Sequence, residues 1–398
     1  MSTAAYTLAA WATAFEPAQD DLALAERALR DTLAVLYASR RHPLRYLFEQ
    51  LPDVGRWAAH AHVLDFDDLH LPSTTHISAV CVPVALASGG DARAYLAGAG
   101  VMARLGTALG WGHYTAGWHA TCTAGAPAAA VTAAVAGELD AVPTAAAIAL
   151  AVPAAGGVQR AFGTSAKALQ VGFAADAGMR AARLAAEGAT ADPGALDDWI
   201  GLVGGDRSAL PASDDGETIP GGLAIKLYPC CYALQRPIAA LLDLNPLPPA
   251  DQVTAIRVAT PESGLKPLIH ARPRTGLEGK FSLEYAIAAT LLDGRPNQVS
   301  FTDAAVQRPA AQRLVDLVEV TPTAQGNGLL DGKVEIEISL HDREPAIARI
   351  DLPPGAPQRP PSDRELRRKL EACAGPAAAE LAEVTWATAR SFLEEHGL

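Results

Sequence analysis

The texture of this 398-residue chain changes once, and that change constrains the fold more than any single motif. From about residue 16 to 230 small residues dominate and alternating β-branched runs are nearly absent, so the stretch reads as closely packed helices. Helices are predicted over 20–39, 92–109, 124–139, 144–155 and 172–187. The first has acidic residues at its front, as the helix dipole favours, with Arg27 and Arg30 further along. Beyond a Gly/Pro/Asp/Ser-rich crossing at 206–220 the pattern turns to alternation. Segments 252–260, 313–321, 333–340 and 346–352 read as strands, with a helix over 281–292 between them. A proline-rich linker at 353–361 leads into helices over 362–395, opened by Ser362 as an N-cap. The fold class is therefore mainly α: a large all-helical region, a smaller α+β region, and terminal helices that return to the first.

A formal charge of −12 provides no basic face for phosphates, so no nucleic-acid partner is expected. An anionic small molecule requires only a few converging cations. Lysine is scarce, at Lys167, Lys226, Lys266, Lys280, Lys333 and Lys369, which gives weight to any that fall in a motif. The most apolar segment, 141–158, is broken by Pro143, Pro153 and Gly156-Gly157, so it reads as buried helix and no membrane partner is expected. Five cysteines without a C-x-x-C pair argue against a disulfide framework, a structural zinc site or an iron–sulfur cluster. The N-terminus lacks the basic start of a secretory signal, and the expected location is cytoplasmic.

Chemistry concentrates in one stretch. Six of the ten histidines (His60, His62, His70, His76, His113, His119) lie between residues 60 and 119, beside Asp65, Asp67 and Asp68. Imidazoles and carboxylates move protons near neutral pH, so a helix bearing Asp65 to His70, then a turn aiming His76 back, reads as an acid/base patch. The same residues read as a solvated acidic face with capping aspartates. A metal is not expected: His60 and His62 diverge by about 200° on a helix, and no H-E-x-x-H spacing exists. His119 precedes a helix whose positive end favours anions and lowers an imidazole's pKa; a capping or core histidine is the alternative. Lys167 and Lys226 sit among small or apolar residues and need an anion, from the protein or a substrate.

Five segments in register carry a resemblance: DFDD…H…THIS (65–78), GWHATCTAGA (117–126), SAKALQVGFAADAG (165–178), IKLYPCCYALQRPI (225–238) and GKFSLEYAIAATLLDG (279–294). With the 342–370 region, the chain resembles the MmgE/PrpD family of carboxylic-acid dehydratases, decarboxylases and epimerases. The resemblance implies an all-helical domain from both chain ends (1–221 and 356–398), an α+β lid domain (222–355) and a homodimer. It also implies a cofactor-independent site between domain and lid. Carried over, His119, Lys167, His76, Tyr285 and Asp65 are candidate catalytic residues, and Lys226, Lys280 and Cys231 candidate substrate-binding residues. In this assignment Lys226 and His76 hold carboxylates, His119 and Lys167 exchange protons, Tyr285 assists, and Asp65 orients a histidine. Leu69 stands where the family commonly has threonine, Ile77 and Ala120 where it usually has proline, and Cys231 where the decarboxylases carry a further histidine. The implied reaction is dehydration of a hydroxylated di- or tricarboxylic acid, of the 2-methylcitrate dehydratase kind. The alternatives are epimerisation of an amino- or imino-dicarboxylate, decarboxylation of a cis-aconitate-like acid, and carboxylate binding without catalysis.

Overall fold

Contacts between glycines set how closely the helices pack. In the computed structural model, which describes residues 2–210, 216–324 and 326–398, one apolar core joins the long helices of the first half of the chain. They are α1 (Ala4–Ala14), α2 (Gln19–Ser39), α3 (Asp53–Val63), α4 (Ile77–Ala87), α5 (Ala92–Thr115), α6 (Ala120–Ala136), α7 (Ala141–Ala151) and α8 (Ala166–Ala186). A Cβ on Gly172 of α8 would lie 2.6 Å from the Gly55 carbonyl oxygen of α3, and one on Gly178 would lie 2.4 Å from Ala126 O of α6. Only glycine permits those approaches. α6 is buried from Ala120 through Val135, so its Ala-rich sequence is a fully enclosed helix rather than an amphipathic one.

The second core collects residues from Ala224 to Ile350, together with Leu69 and Phe162 from the helical part. It is built on a four-stranded sheet of order β2-β1-β3-β4: β1 (Val253–Pro261), β2 (Val318–Thr323), β3 (Val334–Leu340) and β4 (Arg343–Ile350). β1 pairs parallel with β2 and antiparallel with β3, and β3 pairs antiparallel with β4. Helices α9 (Gln235–Leu242), α10 (Leu283–Asp293) and α11 (Pro309–Asp316) cover this sheet region. α12 (Asp363–Ala374) packs on α2, where buried Lys369 Nζ meets Asp31 Oδ1 at 2.6 Å. With α13 (Ala389–Glu395), it contributes Cys373, Phe392 and Leu393 to the first core.

Three local readings of the sequence change. The strand expected at 313–321 begins only at Val318, because Pro309 opens a helix that buries Ala311, Leu314 and Val315 on one face. The helix expected from Gly172 starts at Ala166, which places Lys167 in its first turn. The predicted crossing at 206–220 falls partly outside the described residues, at 211–215. Among the described residues, no helix is long and apolar enough to cross a membrane.

Candidate active site

The segment after α3 is not helical. Asp65 adopts a positive φ of 52°, a conformation aspartate tolerates better than most side chains. Thus Asp65, Asp67 and Asp68 point in three directions instead of sharing a helical face. Asp68 accepts from Ser78 N at 3.1 Å and from the Ser78 hydroxyl, so it caps α4. Burial, opposed by those bonds, pushes its pKa up to about 7. Asp67 Oδ2 accepts from His62 Nδ1 at 2.6 Å. His76 Nδ1 lies 3.1 Å from the same oxygen, an ion-pair contact without hydrogen-bond geometry, and makes no hydrogen bond among the described residues. Asp65 Oδ1 accepts from Lys226 Nζ and lies 3.5 Å from Lys167 Nζ.

The glycine contact between α3 and α8 has a chemical consequence. The two helices run antiparallel, and near their far ends Lys167 Nζ sits 2.5 Å from His62 Nε2. Since His62 Nδ1 donates to Asp67, Nε2 has the free lone pair and accepts from Lys167. A chain Asp67–His62–Lys167 results, with every member buried.

The two lysines differ. Burial lowers the Lys167 pKa and the Asp65 and Asp67 carboxylates oppose it, with a net fall. Burial acts likewise on Lys226, but Asp65 and Asp67 prevail and its pKa rises. Of the two, Lys167 gives up its proton the more readily. Burial would raise the Asp65 pKa, yet the Lys167 and Lys226 charges bring it below the ordinary carboxylate range.

His76 and His119 occupy the N-cap positions of α4 and α6. Burial pushes His76 down to about 3 despite Asp67, and holds His119 well below its ordinary value with Lys167 adding to the effect. Ile77 and Ala120, where proline was expected, fill the first helical position, which any helix former can occupy. His119 Nδ1 contacts Gln170 Nε2 at 2.8 Å and Cys122 Sγ at 3.2 Å, while its buried Nε2 has no hydrogen-bond partner among the described residues.

Asp65, His76, His119, Lys167 and Cys231 line one cavity of about 20 Å³, room for one water, with Leu69, Phe162, Tyr232, Phe281 and Leu329 among its apolar walls. Three candidates lie elsewhere. Lys226 sits behind Asp65, its ammonium engaged there and 3.1 Å from Asp65 O. Lys280 donates to Leu64 O at 2.8 Å and Pro229 O at 2.7 Å, tying the two cores together; burial pulls its pKa down to about 8. Tyr285 is enclosed in the second core, its hydroxyl donating to Ser300 O, so it does not reach the cavity. The histidine orientation assigned to Asp65 falls instead to Asp67.

The sequence placed Asp67 in the acid/base patch and His62 in the histidine cluster, but neither was among the catalytic or binding candidates. His60 and His62 do diverge: His60 bonds Ser39 Oγ at 2.8 Å in the core, and His62 turns to the site. His62, Asp67 and His76 offer three atoms within 4.8 Å of one another, a metal-like grouping. Lys167 already sits on His62 Nε2 and Lys226 Nζ lies 3.8 Å from Asp67 Oδ1, so positive charge is supplied by lysine.

Residues 57–204 match the MmgE/PrpD N-terminal domain and residues 228–394 the MmgE/PrpD C-terminal domain, and the chain belongs to that family. It is also similar to a cis-aconitate decarboxylase of Aspergillus terreus, 26% identical over 358 residues that span 78% of this chain and 72% of the relative. A protein of the same description from Aspergillus terreus strain NIH 2624 / FGSC A1156 is 26% identical over 360 residues, with the same coverage.

Proposed function

We propose that this chain is a cofactor-independent lyase that dehydrates a hydroxylated di- or tricarboxylic acid. The observation that carries the reading is Lys167: a buried amine of lowered pKa, on the cavity wall, held by His62 and Asp67. Carbon acids next to carboxylates are weak, so a base must be desolvated and the developing charge must meet fixed positive groups. In this scheme Lys167 takes the proton from the carbon next to a carboxylate. The electron pair forms the double bond, the hydroxyl leaves as water with the Nε2 proton of His119, and the proton taken by Lys167 then restores His119. His76 orients a substrate carboxylate, and Lys226 compensates Asp65 and Asp67 from behind.

The cavity volume of about 20 Å³ is too small for such an acid, so entry requires the wall formed by Tyr232, Phe281 and Leu329 to move away from the helices. Epimerisation needs the same pair of proton-exchanging groups without a leaving hydroxyl. Decarboxylation is supported by the description of the Aspergillus terreus relatives. Incubation with citrate, 2-methylcitrate, malate, tartrate, cis-aconitate and amino-dicarboxylates, followed by proton NMR, separates these outcomes. A new vinyl signal with loss of hydroxyl supports dehydration. Diastereomer interconversion or release of CO₂ replaces it with one of the alternatives, and no turnover of any acid counts against the reading.

A further inference from the structure

We propose that Gln170 is a positioning residue that locks the His119 imidazole as its Nε2–H tautomer, making His119 a proton donor toward the cavity. The orientation of one amide decides the tautomer. Gln170 lies one turn after Lys167 on α8, and its side chain spans the Val158 peptide groups: Oε1 accepts from Val158 N at 3.1 Å and Nε2 donates to Val158 O at 3.2 Å. Turning the amide over would set N–H against N–H and oxygen against oxygen, so its orientation is fixed. Val158 is itself held, because the flanking residues pair with the His119 segment through His119 N to Gly157 O (3.0 Å) and Gln159 N to Gly117 O (2.8 Å). The remaining Gln170 N–H therefore points at His119 Nδ1, 2.8 Å away, and Nδ1 must be the acceptor. Cys122, whose thiol is kept protonated by burial, presents Sγ to the same nitrogen at 3.2 Å.

A neutral imidazole with Nδ1 as acceptor carries its proton on Nε2. That atom is buried, without a hydrogen-bond partner among the described residues, in a side chain that lines the cavity. The catalytic meaning of the tautomer rests on the proposed lyase reading; the tautomer itself does not.

The test is long-range proton–nitrogen NMR of the full chain labelled with ¹⁵N-histidine, with His119 identified by difference against His119→Gln. The expected result is a pyridine-like Nδ1 and a pyrrole-like Nε2 in the wild type at neutral pH. In Gln170→Glu the carboxylate accepts rather than donates, so the two signatures exchange and the ring titrates at higher pH. A pyridine-like Nε2 in the wild type overturns the proposal without any variant. So does a folded Gln170→Glu protein that keeps the wild-type pattern. Because neither readout needs substrate, failure here is separate from failure of the lyase reading.

Discussion

Lys167 Nζ lies 2.5 Å from His62 Nε2, and the opposite nitrogen of that ring is held 2.6 Å from Asp67 Oδ2. The contact makes His62 an intermediary: it touches the amine and a carboxylate without lining the cavity. Replacing it should therefore impair proton transfer more than binding. His62→Gln is expected to lower kcat by about 10²-fold or more, within the range of general acid–base effects, with KM little changed. Steady-state kinetics on the acid that the wild type turns over check this, and an unaltered kcat removes His62 from the chain.

The Asp65–Lys226 pair is buried on both sides. Truncating one partner leaves an uncompensated charge, which costs about 3–5 kcal/mol, whereas removing both costs much less. Lys226→Met should thus be strongly destabilised, and Asp65→Leu combined with Lys226→Met should recover much of the loss. Denaturant unfolding of the single and double variants gives the coupling directly; additive losses would mean the pair is not coupled.

Gly172→Ala places a Cβ against the α3 backbone, which cannot yield as a side-chain end would. The expected cost is on the order of 1–3 kcal/mol from overpacking, with activity reduced because α3 and α8 carry His62 and Lys167. Gly112→Ala, where a Cβ meets nothing within 4 Å, is the control. Equal melting temperatures for the two variants would contradict the close approach.

Buried histidines set the acid limit of stability. Burial pushes His60 and His70 down to about 4, from an ordinary 6.5. Their folded pKa values are depressed, so the unfolded chain binds protons first as pH falls. The stability they confer is complete above about pH 6.5 and is lost between there and pH 4, at about 1.4 kcal/mol per pH unit for each proton. Asp68 acts in the opposite sense: its raised pKa favours the folded state at low pH, and that contribution is lost as pH rises toward 7. Thermal melts from pH 4 to 8 should show a net fall in stability toward acid that is shallower in His60→Gln. An unchanged slope would remove His60 as a contributor.

The architecture was legible in the sequence because its signals are periodic: alternation marked β1, β3 and β4, and small-residue runs marked the packed helices. The site was legible in part. His76, His119, Lys167, Asp65 and Cys231 meet at one cavity, although Asp65 lies in a left-handed turn that no helical spacing encodes. Tyr285 and Lys280 sit in motifs that read like the others, and only packing reveals that their polar atoms are spent on backbone carbonyls. His62 and Gln170 were hidden for the converse reason. Their roles depend on what lies across an interhelical contact, at a sequence separation of 105 residues for His62 and Lys167.

The most direct measurement of the central claim is deuterium incorporation at the carbon next to a carboxylate, followed by proton NMR in D₂O with wild type and Lys167→Ala. With the wild type that C–H signal is expected to disappear, and in Lys167→Ala exchange is expected to slow by at least about 10²-fold while the fold, checked by circular dichroism, persists. Exchange at the wild-type rate in Lys167→Ala would contradict the account, as would the absence of exchange with every acid in the presence of wild type.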